Sequence, residues 1–455
     1  MAVLTDRSGV FPSPDLRALP GRNGLPVIGQ TLDFIRDPLA FAREQHHRYG
    51  PVSRGHFLFE PRVFLTSPEG NEAVLTDRGH VLSAYGGWHP ILGDLFPRGL
   101  MLRDGEDHRL HRRLMQPAFR AAALAAYLDR MNPRIERHLH AWSSSSALRF
   151  YLAIKRMTLD IAADVFLGLE LQAEIDQVNR DFTDLVEAST AVLRLSTPWL
   201  AYGRGLRARR HLVAFLAARL PARRRAPGSD LFSQLAHAED EQGQRYADDE
   251  VIDHLIFLMM AAHDTTTSAL TTLAFVLARH PEWQARLAAQ AEALGGEGLS
   301  ADRVAGAEQT EWALREALRL YPPLTSIVRR ATAPLTVGGV VIPAGASVAI
   351  FPVWTQRNPD WWQAPDTFDP ERFSPARQEH RRHPFAWAPF GGGAHMCLGL
   401  HFAEMQVKAV LHQLLQRFTL TVPTGYHMPY QLAPIAKPRD GLPLRISPRH
   451  PPAPA

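Results

Sequence analysis

The sequence is poor in cysteine and lysine and has no long apolar run. Cys397 is the single cysteine among 455 residues, which excludes an intramolecular disulfide framework and gives no sign of an oxidising compartment. Only three of the 50 lysine and arginine residues are lysines, and the net charge is +4. The arginines are spread along the chain with no basic tail, so we expect no nucleic-acid partner.

Segments that would direct the chain to a membrane are also missing. The first residues contain no apolar core long enough for a signal peptide. The longest notable apolar run is LIFLMMAA at residues 255–262, far short of the roughly eighteen residues that indicate a membrane span. We therefore expect a cytoplasmic protein with no transmembrane anchor.

Proline, glycine and strand patterns mark the two ends of the chain. Residues 1–50 are rich in proline and glycine, which predicts an irregular arm containing the first helix. Residues 52–67 alternate and predict a β-hairpin that turns at Glu60-Pro61. A second strand pair is predicted over residues 335–351, with Gly338-Gly339 as its turn. A stretch rich in proline and tryptophan follows, and a buried helix begins near Leu398.

Helical spacing of apolar residues dominates the sequence between the hairpin and Leu320. The longest helix is predicted over residues 248–279, with Asp248-Asp249 as its capping pair and His280-Pro281 as its stop. Such a helix would be about 45 Å long and would cross the centre of the molecule. No repeat or linker divides the chain, so we expect one large, mainly α domain over residues 1–455 with small β-sheets.

The single cysteine lies in FGGGAHMCLG, residues 390–399. The glycines allow the backbone to approach a flat ligand closely. Cys397 precedes the last long helix, whose amides and dipole would stabilise a thiolate. A lone thiolate suits one axial bond to haem iron better than it suits zinc, which takes four ligands. The alternative is an inert cysteine in a glycine-rich turn.

The pattern Phe390-x-x-Gly393-x-His395-x-Cys397-x-Gly399 resembles the haem-ligand signature of the cytochrome P450 superfamily. Three further stretches follow the order of that family: HRLHR at residues 108–112, AAHDTT at 261–266, and EALR at 316–319 with PERF at 370–373. The resemblance spans about residues 20 to 420. It implies a cytochrome P450-type helical domain with haem b between the long central helix and the helix of the cysteine loop.

The resemblance also implies which residues bind the haem. Cys397 would be the thiolate ligand of the iron. The other predicted cofactor-binding residues are His108, Arg112, Arg329, His395, Phe390, Gly391 and Ala261. Four of them, His108, Arg112, His395 and Arg329 (with Arg330 as the alternative to the last), would bind the propionates, because arginine suits carboxylates. Solvated surface charge is the alternative for each of these.

An acid and an alcohol interrupt the apolar centre of the long helix. Such a pair is costly there unless it is hydrogen-bonded or functional. By resemblance, Asp264 and Thr265 are the catalytic residues that manage protons during oxygen activation. The alternative is a threonine that bonds back to the carbonyl four residues earlier. Ala262 stands where the family usually has glycine, which could narrow the groove beside this pair.

Two more sets of residues follow from the resemblance. Glu316, Arg319 and Arg372 would form a buried structural charge network, although a Glu-x-x-Arg pair alone is typical of a solvated surface bridge. The predicted substrate pocket is mostly apolar. Its residues are Tyr85, Trp88, Phe96, Phe257, Met260, Leu324, Ile327 and Val328.

The function implied is that of a monooxygenase. It would hydroxylate or epoxidise a lipophilic terpenoid, steroid, retinoid or fatty acid with O2. The chain has no room for a fused flavin reductase, so we expect electrons from a ferredoxin or flavodoxin with its reductase. Two alternatives are a haem enzyme that isomerises or uses peroxide, and a haem-binding sensor. The intact Asp264-Thr265 pair argues against both.

Overall fold

The computed structural model describes residues 14–449, except 58–59, 143–147, 170–173, 192, 227, 240–242 and 244. Most of these residues are helical. The α-helices are α1 (Thr31–Arg36), α2 (Pro38–Tyr49), α3 (Pro68–Thr76), α4 (Ala84–Leu92), α5 (Gly105–Met115), α6 (Ala121–Trp142), α7 (Phe150–Leu167), α8 (Ile175–Ala188), α9 (Ala201–Ala217), α10 (Leu220–Arg225), α11 (Leu231–His237), α12 (Asp248–Arg279), α13 (Pro281–Leu294), α14 (Glu308–Leu320), α15 (Pro352–Thr355) and α16 (Leu400–Arg417). Within this described part of the chain, no helix has the length and apolar character needed to cross a bilayer.

The strands are short and form small sheets. They are β1 (Val52–Phe57), β2 (Glu60–Leu65), β3 (Leu82–Ser83), β4 (Leu148–Arg149), β5 (Ile327–Ala331), β6 (Leu335–Val337), β7 (Val340–Ile342), β8 (Ser347–Ile350), β9 (Phe418–Thr421), β10 (Tyr430–Gln431), β11 (Lys437–Pro438) and β12 (Pro443–Pro448). The largest sheet has the order β1-β2-β8-β5-β3, in which β2 and β8 are parallel. The others are β4-β12-β9, β6-β7 and β10-β11.

The two predicted hairpins form, and one turns where the sequence places it. Val337 pairs with Val340, so Gly338 and Gly339 form a two-residue turn with φ of 55° and 78°. Glycine adopts this left-handed backbone without a steric penalty, which is why the pair predicts the turn.

The turn of the first hairpin is displaced from its predicted position. Phe57 pairs with Glu60 and His56 with Pro61, so the chain reverses between Phe57 and Glu60 and not at Glu60-Pro61. The two residues of that turn lie outside the described residues. Pro61 is instead a strand residue, and it is tolerated because β8 pairs with β2 only from Arg62 onward.

The proline- and glycine-rich arm runs along β1, and its first helix begins at Thr31. Gly21 is bridged to Arg54 and Gly29 to Phe57. A Cβ atom on Gly29 would lie 2.2 Å from the His56 carbonyl oxygen, so only glycine permits this approach. Residues 1–13 of the predicted arm lie outside the described residues.

Helix α12 has the predicted bounds, 248–279, and lies in the main hydrophobic core with α7 and α16. Its start differs in detail from the prediction. Asp248 and Asp249 lie inside the first turn, and Ala247 precedes the helix. The carboxylates still favour the helix because they face the positive end of its dipole. Glu250 accepts a hydrogen bond from the Ala247 N–H at 3.4 Å.

A buried charge network joins α14 to the proline- and tryptophan-rich segment before the cysteine loop. Glu316 and Arg319 have no exposed surface and Arg372 has 1%. Arg319 donates to both oxygens of Glu316, at 2.6 and 2.9 Å, and Arg372 donates to Oε1 of Glu316 at 3.3 Å. Arg319 also donates to the carbonyl oxygens of Gln356 and Pro365. The three predicted residues therefore lie together in the core.

Glu379 is a fourth member of this network, and no sequence pattern indicated it. Its carboxylate accepts from Arg372 at 2.9 Å and from the Gln363 N–H at 2.7 Å. Burial raises the pKa of Glu316 despite the opposing effect of Arg319. The second carboxylate balances the charge of Arg372, so two arginines face two carboxylates inside the protein.

We predict that Arg319→Ala lowers the free energy of unfolding by about 3–5 kcal/mol, because Glu316 is left as an unpaired buried charge. The midpoint of urea unfolding measures this loss. Arg48→Ala is the control, since Arg48 forms an exposed pair with Glu44 and its loss should cost about 1 kcal/mol or less. Equal midpoints for the two variants would contradict the prediction.

Candidate functional site

The cysteine loop is closed by its own backbone and pressed against α3. The Cys397 N–H donates to the Phe390 carbonyl oxygen at 2.9 Å. Gly393 has a φ of 60°, and a Cβ atom there would lie 2.0 Å from the Leu75 carbonyl oxygen. Around Gly391, by contrast, the nearest atoms to such a Cβ are 3.9 Å away. The loop is thus fixed against α3 at Gly393, whereas Gly391 is in ordinary van der Waals contact with its surroundings.

The thiol of Cys397 has accessible surface although protein surrounds it on most sides. Burial raises its pKa, and the hydrogen bond from the Gly399 backbone and the charge of Arg112 lower the pKa only in part. Helix α16 begins at Leu400 with Gly399 as its cap, two residues later than predicted. The free group is therefore a thiol at neutral pH, and binding a metal ion would deprotonate it.

Four basic side chains gather next to the loop. The rings of His108 and His395 lie 3.9 Å apart between centroids, and the charges of Arg112 and Arg329 act on both rings. Arg329 is 6% exposed and donates to the Val328 carbonyl oxygen at 2.8 Å. Among the described residues, neither Arg112 nor Arg329 has an ion pair with a carboxylate.

The electrostatics of this basic cluster (His108, Arg112, Arg329 and His395) favour an anionic ligand. Burial, and next the charge of Arg112, lower the pKa of His108 to about 4. Burial, and next the charge of Arg329, lower the pKa of His395 to about 2. Burial also lowers the pKa of Arg329 to about 10. Two guanidinium groups without an ion pair among the described residues and two neutral imidazoles can therefore bind carboxylates, with charge-assisted hydrogen bonds.

The two candidate arginines of β5 have different surroundings. Arg330 binds Glu60 and donates to the carbonyl oxygens of Gly86 and Gly345. Its guanidinium is thus used inside the sheet. Arg329, on the opposite face of the strand, lies in the basic cluster.

Thr265 bonds back along α12, as the sequence alternative allowed. Its hydroxyl donates to the Ala261 carbonyl oxygen at 2.7 Å. Because the hydroxyl proton is used in this bond, the oxygen presents lone pairs to a neighbouring donor. Thr265 is partly exposed, and so are Ala261 and Ala262 on the same face of the helix, whereas Thr266 is buried.

Asp264 is 4% exposed and pairs with Lys155 of α7, whose Nζ is 3.0 Å from Oδ1. Burial raises the pKa of Asp264, but its interaction with His263 and the charge and hydrogen bond of Lys155 more than offset it, and the pKa is lowered. Asp264 is therefore ionised. Sequence analysis missed Lys155, because a residue so distant along the chain shows no spacing signal, although its rarity as one of three lysines was a possible indication.

The predicted pocket residues do not all pack in one group. Phe96 and Phe257 meet edge to face at 6.1 Å, near Met260 in the main core. Tyr85 and Trp88 of α4 pack against the same core, and Trp88 also contacts the cluster around Val328.

Ile327 packs on the other face of the sheet, since successive strand residues point to opposite faces. By the same alternation Ile327 shares its face of β5 with Arg329 of the basic cluster, and Val328 points to the opposite face. Leu324 lies half-buried in the segment before β5.

Taken together, these residues fit a cofactor that carries a metal ion and carboxylate groups. Cys397 offers one ligand to the metal, and the basic cluster offers charge partners to the carboxylates. Zinc does not fit, because the described residues contain no group of three or more metal-ligating side chains.

Comparison with known proteins agrees with this fit. The sequence model of the cytochrome P450 family matches residues 19–442. The chain belongs to the cytochrome P450 family. It is therefore a haem-thiolate monooxygenase of mainly α fold, and the predicted family, fold class, cofactor and enzyme class are confirmed.

Bacterial and plant relatives are similar over most of the chain. Cytochrome P450 136 of Mycobacterium tuberculosis is 38% identical over 447 residues, covering 96% of this chain and 90% of the relative. Taxane 10-beta-hydroxylase of Taxus cuspidata is 27% identical over 453 residues, covering 94% and 90%. The solved structure of retinoic acid-bound cyanobacterial CYP120A1 matches with a TM-score of 0.88 and 28% identity, covering 94% of this chain and 99% of that one.

We predict that Arg329→Gln weakens haem retention by roughly tenfold or more, because a charge-assisted hydrogen bond contributes about 1.5–3 kcal/mol. The rate of haem transfer to apomyoglobin measures the effect. Arg330→Gln is the neighbouring control and should leave this rate close to that of the parent. A faster transfer from Arg330→Gln than from Arg329→Gln would reverse the assignment.

We predict that Thr265→Ala keeps the fold and haem but lowers the product formed per electron pair and raises hydrogen peroxide. Alanine favours the helix, so the loss is confined to the hydroxyl oxygen. Thr266→Ala is the control, because that residue points about 100° away on the helix. Unchanged coupling in Thr265→Ala would mean that Asp264 acts without this hydroxyl.

Proposed function

We propose that this P450 hydroxylates or epoxidises a lipophilic, terpenoid- or retinoid-like molecule, with electrons from a separate ferredoxin or flavodoxin and its reductase. The observation that carries the substrate class is the aromatic contact between Phe96 and Phe257 beside Met260. A pocket wall of this kind rewards apolar surface and offers no charge. The names of two relatives, a taxane hydroxylase and a retinoic acid-bound P450, support the same class.

The roles of the site residues form part of the proposal. Cys397 holds the metal as its thiolate, and Gly399 and Arg112 stabilise that charge. The basic cluster would hold the two propionates and so orient the cofactor. When bound, the haem supplies the reductive activation of O2 and the insertion of one oxygen atom into the substrate.

Protons and water are managed from α12. Asp264 is ionised and buried, so it can accept a proton and release it without exposure to bulk solvent. Thr265 presents its oxygen beside Ala261 and Ala262 on the partly exposed face of the helix. Phe96, Phe257 and Met260 exclude water from the substrate side, which keeps the electrostatic interactions there strong.

Arginines on the side of the cysteine loop are the proposed docking points for an acidic electron donor. The candidates are Arg109, Arg113, Arg120, Arg377, Arg381 and Arg382. Their availability differs, because Arg109 is paired with Glu106, and Arg377 with Asp369 and Glu379. Arg120 and Arg381 are exposed and are the better first choices for charge reversal.

A ligand-shift titration tests the substrate class. We expect taxane-like and retinoid compounds to shift the Soret band of the ferric enzyme, and short polar compounds to leave it unchanged. Phe257→Ala should weaken binding by roughly tenfold, the factor that about 1.5 kcal/mol of lost apolar burial gives.

Phe275→Ala is the matched control for this titration. Phe275 lies on the same helix but packs against Tyr321 and Tyr426, so its loss should lower stability more than affinity. Equal weakening by both variants would place Phe257 outside the pocket. A shift by polar compounds alone would contradict the proposed substrate class.

A further inference from the structure

A histidine lies beside the ionised acid of α12 and has no role in the function proposed above. His263 has no exposed surface and its ring meets Phe182 edge to face at 5.2 Å. Its Nδ1 atom is 2.8 Å from the Met259 carbonyl oxygen. A carbonyl oxygen only accepts, so Nδ1 carries a proton. The Nε2 atom of neutral His263 is therefore an acceptor.

That acceptor faces another acceptor. Nε2 of His263 lies 3.6 Å from Oδ1 of Asp264. Within the described residues, Nε2 of His263 and Oδ2 of Asp264 are buried atoms without a hydrogen-bond partner. Lys155 bonds Oδ1 of Asp264 and also donates to Thr183 at 2.8 Å. One additional proton on Nε2 would turn this repulsive pair into an ion pair.

We propose that His263 is a positioning residue that stores the next proton for Asp264. The idea rests on the proposed proton role of Asp264. A proton taken up on Nε2 from water forms an imidazolium beside the carboxylate. The Nε2 proton then moves to Asp264, which passes one proton on from its other side, so that Asp264 is again a carboxylate and His263 is neutral with Nδ1 still bound to Met259. No other bond is made or broken.

The surrounding charges set the pH range of such a store. Burial lowers the pKa of His263, the charge of Lys155 lowers it further, and Asp264 raises it in part. The other ionisable groups that act on Asp264 are Lys437 of β11 and Tyr151 of α7, whose own pKa is raised. Because the lowered pKa keeps Asp264 ionised at neutral pH, we assign to His263 a pH dependence of coupling that lies below about 6.5, the ordinary pKa of histidine.

The sign of the effect follows from the protonated form. His263 can supply a proton only when it is imidazolium, so supply falls as pH rises through its pKa. In the parent enzyme, product formed per electron pair should therefore fall as pH rises. In His263→Gln that slope should flatten, and turnover at low pH should drop by roughly tenfold, less than the full loss of a general acid.

The matched control is His254→Gln. His254 lies on the same helix, is equally buried and bonds His111 at 2.8 Å, away from Asp264. Its replacement should keep the slope of the parent. His263→Leu serves as a second variant if His263→Gln loses haem.

A readout independent of turnover is the NMR titration of the 15N-histidine-labelled, reduced carbon monoxide-bound enzyme. The resonance lost in His263→Gln should show Nδ1–H in the neutral form, and its pKa should fall in Asp264→Asn, which removes the carboxylate. It should also match the midpoint of the coupling profile.

Three results would overturn the proposal. The first is that His263→Gln and His263→Leu keep the parent's dependence of product per electron pair on pH. The second is that His254→Gln loses this dependence to the same extent as His263→Gln. The third is that the pKa of the His263 resonance does not change in Asp264→Asn. If Thr265→Ala lowers the product formed per electron pair and His263→Gln does not, only the proposed role of His263 is refuted. If neither variant lowers it, the proposed proton role of α12 fails.

Discussion

The pairing of Glu316 with two fully buried arginines is the interaction on which the site-bearing half of the fold depends. Arg319 donates hydrogen bonds to Glu316 and to carbonyl oxygens of the segment that leads to the cysteine loop. That segment has few helices or strands, so side-chain hydrogen bonds fix its position in place of the backbone hydrogen bonds of regular secondary structure. Arg372 and Glu379 extend the same network. A buried ion network of this kind adds little net free energy of folding. It favours one arrangement of the chain, because any other arrangement leaves a buried charge unpaired.

The site follows a second electrostatic rule, because two of its arginines have no ion pair. The core network pairs every charge, whereas Arg112 and Arg329 have no carboxylate within ion-pair distance among the described residues. Burial, and next the charges of these arginines, keep His108 and His395 neutral. The Cys397 thiol likewise has a raised pKa in the free protein. Haem would supply carboxylates to the basic cluster and a metal ion to the thiol. Cofactor binding would therefore balance the charges of the site.

Helix α12 combines a structural and a chemical role. Most of its length is buried apolar surface against α7 and α16, and this is what makes a polar interruption expensive. Three polar residues nevertheless follow one another there, His263, Asp264 and Thr265. Lys155 of α7 pairs with Asp264. Each of these groups has part of its hydrogen-bonding capacity satisfied inside the protein. The remaining capacity, at Asp264 and His263, is what the proposed proton chemistry uses.

Features that depend on neighbours along the chain were determined by the sequence itself. The bounds of α12, the Gly338-Gly339 turn and the cysteine loop follow from local spacing, stop signals and backbone freedom. The family resemblance added the membership of the charge network and the basic cluster. Only the tertiary structure decided that Arg329 and not Arg330 faces His108, that Ile327 and Val328 face opposite sides of the sheet, and that Lys155 and Glu379 complete their ion pairs. These outcomes depend on strand register and on which helix packs beside which, and contacts between residues far apart along the chain leave no periodic pattern in the sequence.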